Sequence, residues 1–245
     1  MTIVGTSGFF YYDWKGVFYP SGVSPSKWLE IYADRLNGLE VNSTFYRLPV
    51  PSTIRNYRKF SDRLVFVFKL YRGITHYRNL SEENVSAFLK AKEILGDSLY
   101  CLLAQFPASF KPSDKNRDFL LKVRKAFDEI GVVFELRANE WENYRSWLKN
   151  NGFIVCRIDS PPYKRWWQGG IFSKKTAYFR FHGKRKLYSD SYTDEELKSF
   201  ADEIFAVDSE DILCFFNNTT KGMGALNAVK LRELLEKSSK SKNGS

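Results

Sequence analysis

One recurrence constrains this chain more than anything else in it. Eight short apolar or β-branched runs, at residues 3–6, 39–41, 64–70, 100–104, 132–136, 153–158, 177–181 and 212–216, alternate with segments of mostly helical spacing. Runs this short, without strict alternation, suit parallel strands covered on both faces. Between them, Ser24-Pro25 opens a helix that stops near Asn37-Gly38, with Trp28, Ile31, Tyr32 and Leu36 on one face. Ser81 caps a second helix running to Gly96, residues 116–130 form a third, and residues 141–148 a shorter fourth. Thr193 and Glu196 form a capping pair for a fifth, and residues 224–235 close the series. A doubly wound open sheet gives the same linear order. The eightfold repeat, with no glycine-rich dinucleotide turn after the first run, favours closure. The expected fold is therefore α/β, a TIM-like (β/α)8 barrel over residues 1–237, with irregular connections after strands two and six. Residues 238–245, rich in Lys, Ser, Asn and Gly, read as a flexible basic tail.

Composition narrows the setting. The chain is 43% hydrophobic and 27% charged, values of a globular protein rather than a disordered one. No apolar run approaches the roughly 20 residues needed to span a bilayer, so no membrane partner is expected. The amino terminus enters a strand-like segment without the pattern of a signal peptide, and Cys101, Cys156 and Cys214 lie in separate apolar runs. Both observations lead to the expectation of a cytoplasmic protein with buried free thiols. The net charge of +10 ranks an anionic small molecule or nucleic acid first among partners. That charge is uneven: residues 160–187 contain no acidic side chain but eight basic ones, with Tyr163, Trp166 and Trp167 among them.

Barrel chemistry takes place where strands end. Reading those ends in order yields Ser7 and Gly8; Glu40 and Asn42, with Thr44 and Tyr46 beyond; Lys69, then His76; Gln105; Glu135 and Arg137; Asp159; Arg180 and His182; and Asn217-Asn218. Glu40/Asn42, Glu135/Arg137 and Arg180/His182 are each two apart, so each pair shares one side of its strand. A charge inside an apolar strand is costly unless paired or solvated, so their accumulation at one end calls for a reason. Each has a plainer reading as well. Glu40–Arg180 and Glu135–Arg137 suit structural ion pairs, Asp159 suits a turn before Pro161-Pro162, and His182 before Gly183 suits a loop. Trp166-Trp167 equally suits an anchor packed over the rim.

At this point the chain resembles a known family. Gly5-Thr6-Ser7-Gly8, Trp14-Lys15-Gly16, Phe18-Tyr19-Pro20, the block from Glu40 to Pro49, Lys69, Ile74-Thr75-His76, Gln105-Phe106-Pro107, Phe134-Glu135-Leu136-Arg137, Phe181-His182-Gly183 and Phe216-Asn217-Asn218 occur in the order of the YecE-like family, the domain of unknown function 72. The resemblance spans nearly the whole chain and implies a TIM-like barrel; it implies no established reaction. In one respect the chain departs from it. Members commonly carry histidine after the arginine of the strand-five motif, where this chain has Ala138. Proton transfer through that histidine would here fall to Glu140 or His76; otherwise the histidine only starts a helix in the relatives.

Several chemistries remain open at this stage, and so does whether the protein is an enzyme. The leading expectation is a hydrolase or lyase acting on a phosphorylated or nucleic-acid substrate. In it Lys69, Arg137 and Arg180 hold the anion, Glu40 or Glu135 acts as base, and His182 or His76 as acid. Asn42, Tyr46, Gln105, Asn217, Trp166 and Trp167 complete the expected binding set, with Asp159 on the acid–base side. The alternatives are glycosidase-like sugar chemistry between Glu40 and Glu135, and a non-catalytic nucleic-acid-binding module built on the basic loop. An oxygen-ligand Mg²⁺ or Mn²⁺ site is open to Glu40, Glu135 and Asp159, with Asn217. The favoured reading has no cofactor, the carboxylates neutralising the three cations instead.

Overall fold

The structure, a computed structural model, describes residues 1–242, with side chains through residue 237. Eight parallel strands close on themselves among the described residues: β1 (Thr2–Ser7), β2 (Gly38–Val41), β3 (Val65–Lys69), β4 (Leu99–Phe106), β5 (Val132–Leu136), β6 (Ile154–Asp159), β8 (Thr176–Phe181) and β9 (Asp211–Phe216). Each pairs with the next, and β9 pairs back onto β1 with Gly5 opposite Phe215. A short antiparallel strand, β7 (Gly169–Ile171), lies against β6 inside the long connection that follows it. The eight apolar runs are thus the eight barrel strands, and the fold is the TIM-like barrel the repeat implies.

Two apolar layers follow from the period-two geometry of the strands. One fills the barrel, with Ile3, Val67, Leu103, Val133, Ile158 and Phe215 pointing at the axis. The larger one lies between the strands and the helices outside them. Gly5 is required by the closeness of β1 and β2, because a Cβ there would sit 1.9 Å from the Gly38 carbonyl oxygen. The neighbouring Tyr32 hydroxyl donates to that carbonyl and accepts from the Thr6 amide, pinning the two strands from the outer layer.

The helices match the spacing argument, with boundary shifts that have local causes. α1 (Trp28–Arg35) stops before Asn37, whose side chain instead accepts from Val4 N at 2.8 Å and donates to the Thr2 carbonyl, tying down β1. Two short helices, α2 (Ser43–Tyr46) and α3 (Pro51–Arg58), follow β2, and α4 (Arg72–Thr75) follows β3. α5 (Glu82–Leu95) begins at the Ser81 cap and ends at Gly96, as read from the sequence. α6 (Asp114–Ala126) starts earlier than expected, since Ser113 caps it and the Asn116 side-chain nitrogen donates to the Lys111 carbonyl. α7 (Arg145–Asn150) is preceded by a 3₁₀ segment from Asn139 to Tyr144. α8 (Asp194–Phe205) carries the Thr193–Glu196 capping box. α9 (Met223–Lys242) continues past residue 237, where the sequence placed the start of a flexible tail; residues 243–245 lie outside the described residues. No helix among the described residues is long and apolar enough to cross a membrane.

Candidate functional site

The carboxyl ends of the strands hold a charged cluster directly above the inner apolar layer. Its centre is Arg180, fully enclosed and clamped from two sides. Its Nε donates to Glu40 Oε2 at 2.9 Å and its Nη2 to Glu40 Oε1 at 2.5 Å, while its Nη1 donates to Glu135. Glu40 also accepts from Ser7 Oγ (2.5 Å) and from the Tyr178 hydroxyl (2.8 Å). Glu135 accepts from Arg137 Nε at 2.5 Å. Burial pushes each carboxyl up, but the guanidinium groups outweigh it and hold both below the ordinary range, Glu135 well below. Near neutrality both are anions and Arg180 a cation. Their hydrogen bonds go to one another and to Ser7, Tyr178 and Arg137.

Around this closed network stand groups that are not closed. Arg137 commits only its Nε to Glu135; among the described residues its two terminal nitrogens have no hydrogen-bond partner. Its guanidinium lies 3.9 Å over the Trp166 ring, which flattens it against the rim. Gln105 lies beside Glu135 in the β4–β5 register, and its amide likewise has no partner among the described residues. Lys69, at the end of β3, has neither a hydrogen bond nor an ion pair among them; its amine lies 4.1 Å over the Phe45 ring. Burial, with Arg180 and Arg137 nearby, lowers the Lys69 amine to about 7, against the opposing pull of Glu135 and Glu40. His76 sits at the same rim, its Nδ1 2.9 Å from Thr75 Oγ1 and its ring edge-on to Phe45. Burial and the charge of Lys69 lower its pKa.

His182 is buried beside Glu135. Its Nδ1 lies 3.0 Å from the Asn217 amide nitrogen, which fits donation to an unprotonated Nδ1. The proton then rides on Nε2, 3.4 Å from Glu135 Oε2. Burial drives the imidazole down to about 4 despite that carboxylate, so it is neutral at pH 7. Trp166 and Tyr188 cover it, each with its ring centre 5.8 Å away.

Not every expected residue joins this group. Asp159 lies on the opposite side of β6 from Cys156 and Ile158, so it faces the outer layer, where its carboxylate accepts from the Tyr192 hydroxyl at 2.7 Å. The acid–base role expected of it is therefore corrected. So is the oxygen-ligand metal set, since Asp159 does not converge with Glu40 and Glu135, whose oxygens are already engaged. Among the described residues no group of three or more His, Cys, Asp or Glu is placed to hold a metal. Trp167 is buried, its indole donating to Glu142 and its amide to the Arg137 carbonyl, and so serves as the loop anchor. The Asn218 side-chain nitrogen donates to the Asp190 carbonyl and to Asn227 Oδ1, and the Gly8 amide donates to the Glu40 carbonyl.

Ala138 packs into the outer apolar layer, so a side chain at this position points away from the axis; Glu140 pairs with Lys111 at the surface. Neither position belongs to the cluster. Asn42 and Tyr46 border a neighbouring cavity of about 560 Å³, lined by Phe9, Phe10, Leu48 and Tyr57 and lying beside the axis rather than on it. Two residues that matter were not singled out: Tyr178, which the period-two spacing from Arg180 places on the axis, and Phe45, which lies inside the Glu40–Pro49 block without having been given a role.

Lys69 yields a direct test of this geometry. An amine held near 7 when folded and near about 10.4 when unfolded favours the unfolded chain at every pH below that upper value. Lys69→Met is therefore expected to raise stability by about 2 kcal/mol at pH 7, allowing for partial exposure, and the gain should shrink toward zero as pH approaches about 10. Thermal unfolding of both proteins across that range checks it. A gain independent of pH would mean that packing, not charge, is responsible.

Comparison with known proteins agrees with the geometry. A DUF72 family protein of Thermotoga maritima superposes with a TM-score of 0.85 at 31% identity, covering 96% of this chain and 99% of that one. Two structures of a DUF72 family protein of Enterococcus faecalis share the fold at 24% identity, with TM-scores of 0.79 and 0.76, covering 96% of this chain and 96% and 98% of theirs. No curated protein matches. The family model described as "Protein of unknown function DUF72" matches residues 3–244, and the chain belongs to that family.

Proposed function

We propose that the barrel mouth binds a small anionic substrate, phosphorylated or carboxylated, and acts on it as a lyase or hydrolase. One observation carries this reading: the division of the cations. Arg180 is consumed by two carboxylates, whereas Arg137 and Lys69 keep nitrogens unpaired at the rim, with the Gln105 amide beside them. Cationic donors left uncommitted at an open rim are placed to form strong, charge-assisted bonds with an entering anion. Within this reading Glu40 and Glu135 hold Arg180 and aim Arg137, and proton transfer falls to Lys69 and His76. His182, neutral near pH 7, orients rather than donates protons.

The glycosidase alternative lacks support, because it needs one carboxyl group protonated near neutrality and both are held as anions. The nucleic-acid reading loses its main support in the basic loop. Lys174 pairs with Asp208, Lys184 with Glu196, and Arg185 with both Asp190 and Glu196, so acids from outside the stretch offset part of that charge.

Titration with inorganic phosphate, pyrophosphate and small carboxylates, followed by calorimetry, tests the anion site. Arg137→Gln is expected to weaken the best of them about 10- to 100-fold, the range for losing charged hydrogen bonds worth roughly 1.5–3 kcal/mol. Lys164→Gln, in the exposed loop, is expected to leave it within about twofold. Equal binding by wild type and Arg137→Gln would overturn the reading.

A further inference from the structure

We propose that Lys69 is a nucleophilic amine that forms an imine with a small oxo compound bearing a carboxylate or phosphate. The argument begins with placement. Lys69 ends β3 two residues past the inward-facing Val67, so it projects inward above the apolar layer, within electrostatic reach of Arg180 and Glu135. Its amine makes no hydrogen bond or ion pair among the described residues, although two carboxylates lie within electrostatic reach, because Arg180 and Arg137 have taken their oxygens. A lysine placed merely to neutralise charge would take a carboxylate oxygen. This one instead faces an aromatic ring and keeps an opening to the mouth, since its nitrogen is not among the fully enclosed polar atoms that lack partners.

The groups facing it are Arg180, Arg137, Glu135 and Glu40 from the strands, and His76 from the end of α4. Desolvation beside two fixed guanidinium groups is the environment that keeps a lysine uncharged and nucleophilic near neutrality. The two functions are thus separated in space: Arg137 offers terminal nitrogens to the anion, and Lys69 offers a lone pair to a carbonyl carbon.

The step balances without an outside reagent. The amine lone pair attacks the carbonyl carbon, a C–N bond forms, and the C–O π pair moves to oxygen, which takes a proton. The nitrogen then gives up its two original protons over the two stages, and the oxygen, carrying two, leaves as water. The resulting imine, once protonated, withdraws electrons from the adjacent carbon, which suits cleavage or proton removal there and hence lyase chemistry. His76, neutral and beside Lys69, is placed to carry the protons. The substrate's charge rests on the anion reading above; the reactivity of the amine does not.

Borohydride trapping tests it on the full chain. Protein is incubated with pyruvate, glyoxylate, dihydroxyacetone phosphate or the uncharged glycolaldehyde, reduced, digested and mapped by mass spectrometry. Trapping is expected at Lys69 at least about tenfold above any surface lysine, half-maximal near pH 7, whereas surface amines need pH near about 10. Lys69→Met, which removes the amine without adding a buried charge, is expected to abolish that adduct while the thermal transition persists. Inorganic phosphate is expected to suppress trapping by the anionic probes. If Lys69 traps glycolaldehyde as well as the anions and phosphate has no effect, the amine stands and the anion site falls. If phosphate binds in an Arg137-dependent manner but Lys69 is trapped no more than surface lysines, the imine proposal is overturned and the anion site stands.

Discussion

Arg180→Leu lowers the thermal midpoint by about 6–20 °C, the equivalent of about 3–5 kcal/mol for a barrel of this size. The loss comes mainly from what the substitution leaves behind rather than from the bonds it removes. Glu40 and Glu135 face each other across the space Arg180 fills, both buried and both held as anions by it. Without the guanidinium, Ser7 and Tyr178 still donate to Glu40 and Arg137 still donates to Glu135, but no cation separates the two carboxylates. At least one must take up a proton, so the variant should also be more sensitive to rising pH than the wild type. Replacing the whole set, Glu40→Met with Glu135→Met and Arg180→Leu, is expected to recover most of the loss, because exchanging a complete buried ion network for apolar volume is often neutral. Thermal unfolding of the single and triple variants checks both halves. A single variant within about 1 kcal/mol of wild type would show that the network does not hold the barrel mouth together.

The same network shows how far the sequence could be read. Strand positions were legible because a buried parallel strand leaves a compact apolar run, and because Gly38, Gly96 and Gly131 stand where helices give way to strands. The pairs Glu40/Asn42, Glu135/Arg137 and Arg180/His182 were legible because period-two geometry needs no partner to be known. What could not be read was which charges would exhaust one another. Glu40 and Arg180 are 140 residues apart and meet only because β2 and β8 curve around one axis. Asp159 shows the limit in a single residue: it stands at a strand end as the others do, but one residue past Ile158 it takes the outward face and is satisfied by Tyr192. Its parity was available in the sequence; Tyr192 was not. The basic stretch at residues 160–187 fails as a signal for a related reason, since its acids arrive from Asp190, Glu196 and Asp208.

The mouth thus contains two kinds of charge. One set is locked and fixes geometry; the other, Lys69, His76 and the ends of Arg137, is exposed to whatever enters. Lys69 illustrates the expense of the second set, since its placement destabilises the fold that the first set secures. That opposition is the usual mark of a residue retained for chemistry rather than stability.

His182 lies on the boundary between the two sets, and its titration should be visible in the stability of the whole protein. Folded, its imidazole is held down to about 4 by burial and by Arg180 and Arg137, against the pull of Glu135; unfolded, it takes up a proton near about 6.5. Between those values the unfolded chain binds more protons than the folded one, so stability is complete above about pH 6.5 and declines as pH falls. The decline attributable to His182 reaches about 2–3 kcal/mol by pH 4.5, before the carboxylates of the cluster begin to protonate. Protonation is resisted by geometry as well as by charge. A proton on Nδ1 would face the Asn217 amide nitrogen, so the amide must turn over before the imidazolium can be accommodated. His76, also lowered, shares this window, and the informative measurement is therefore the difference between wild type and His182→Gln. Unfolding free energies at intervals from pH 7.5 to 4.5 are expected to fall more steeply for the wild type, the two curves approaching or crossing at the acid end. Parallel curves would mean that His182 titrates alike in both states, and that the barrel mouth is wet where the geometry places it dry.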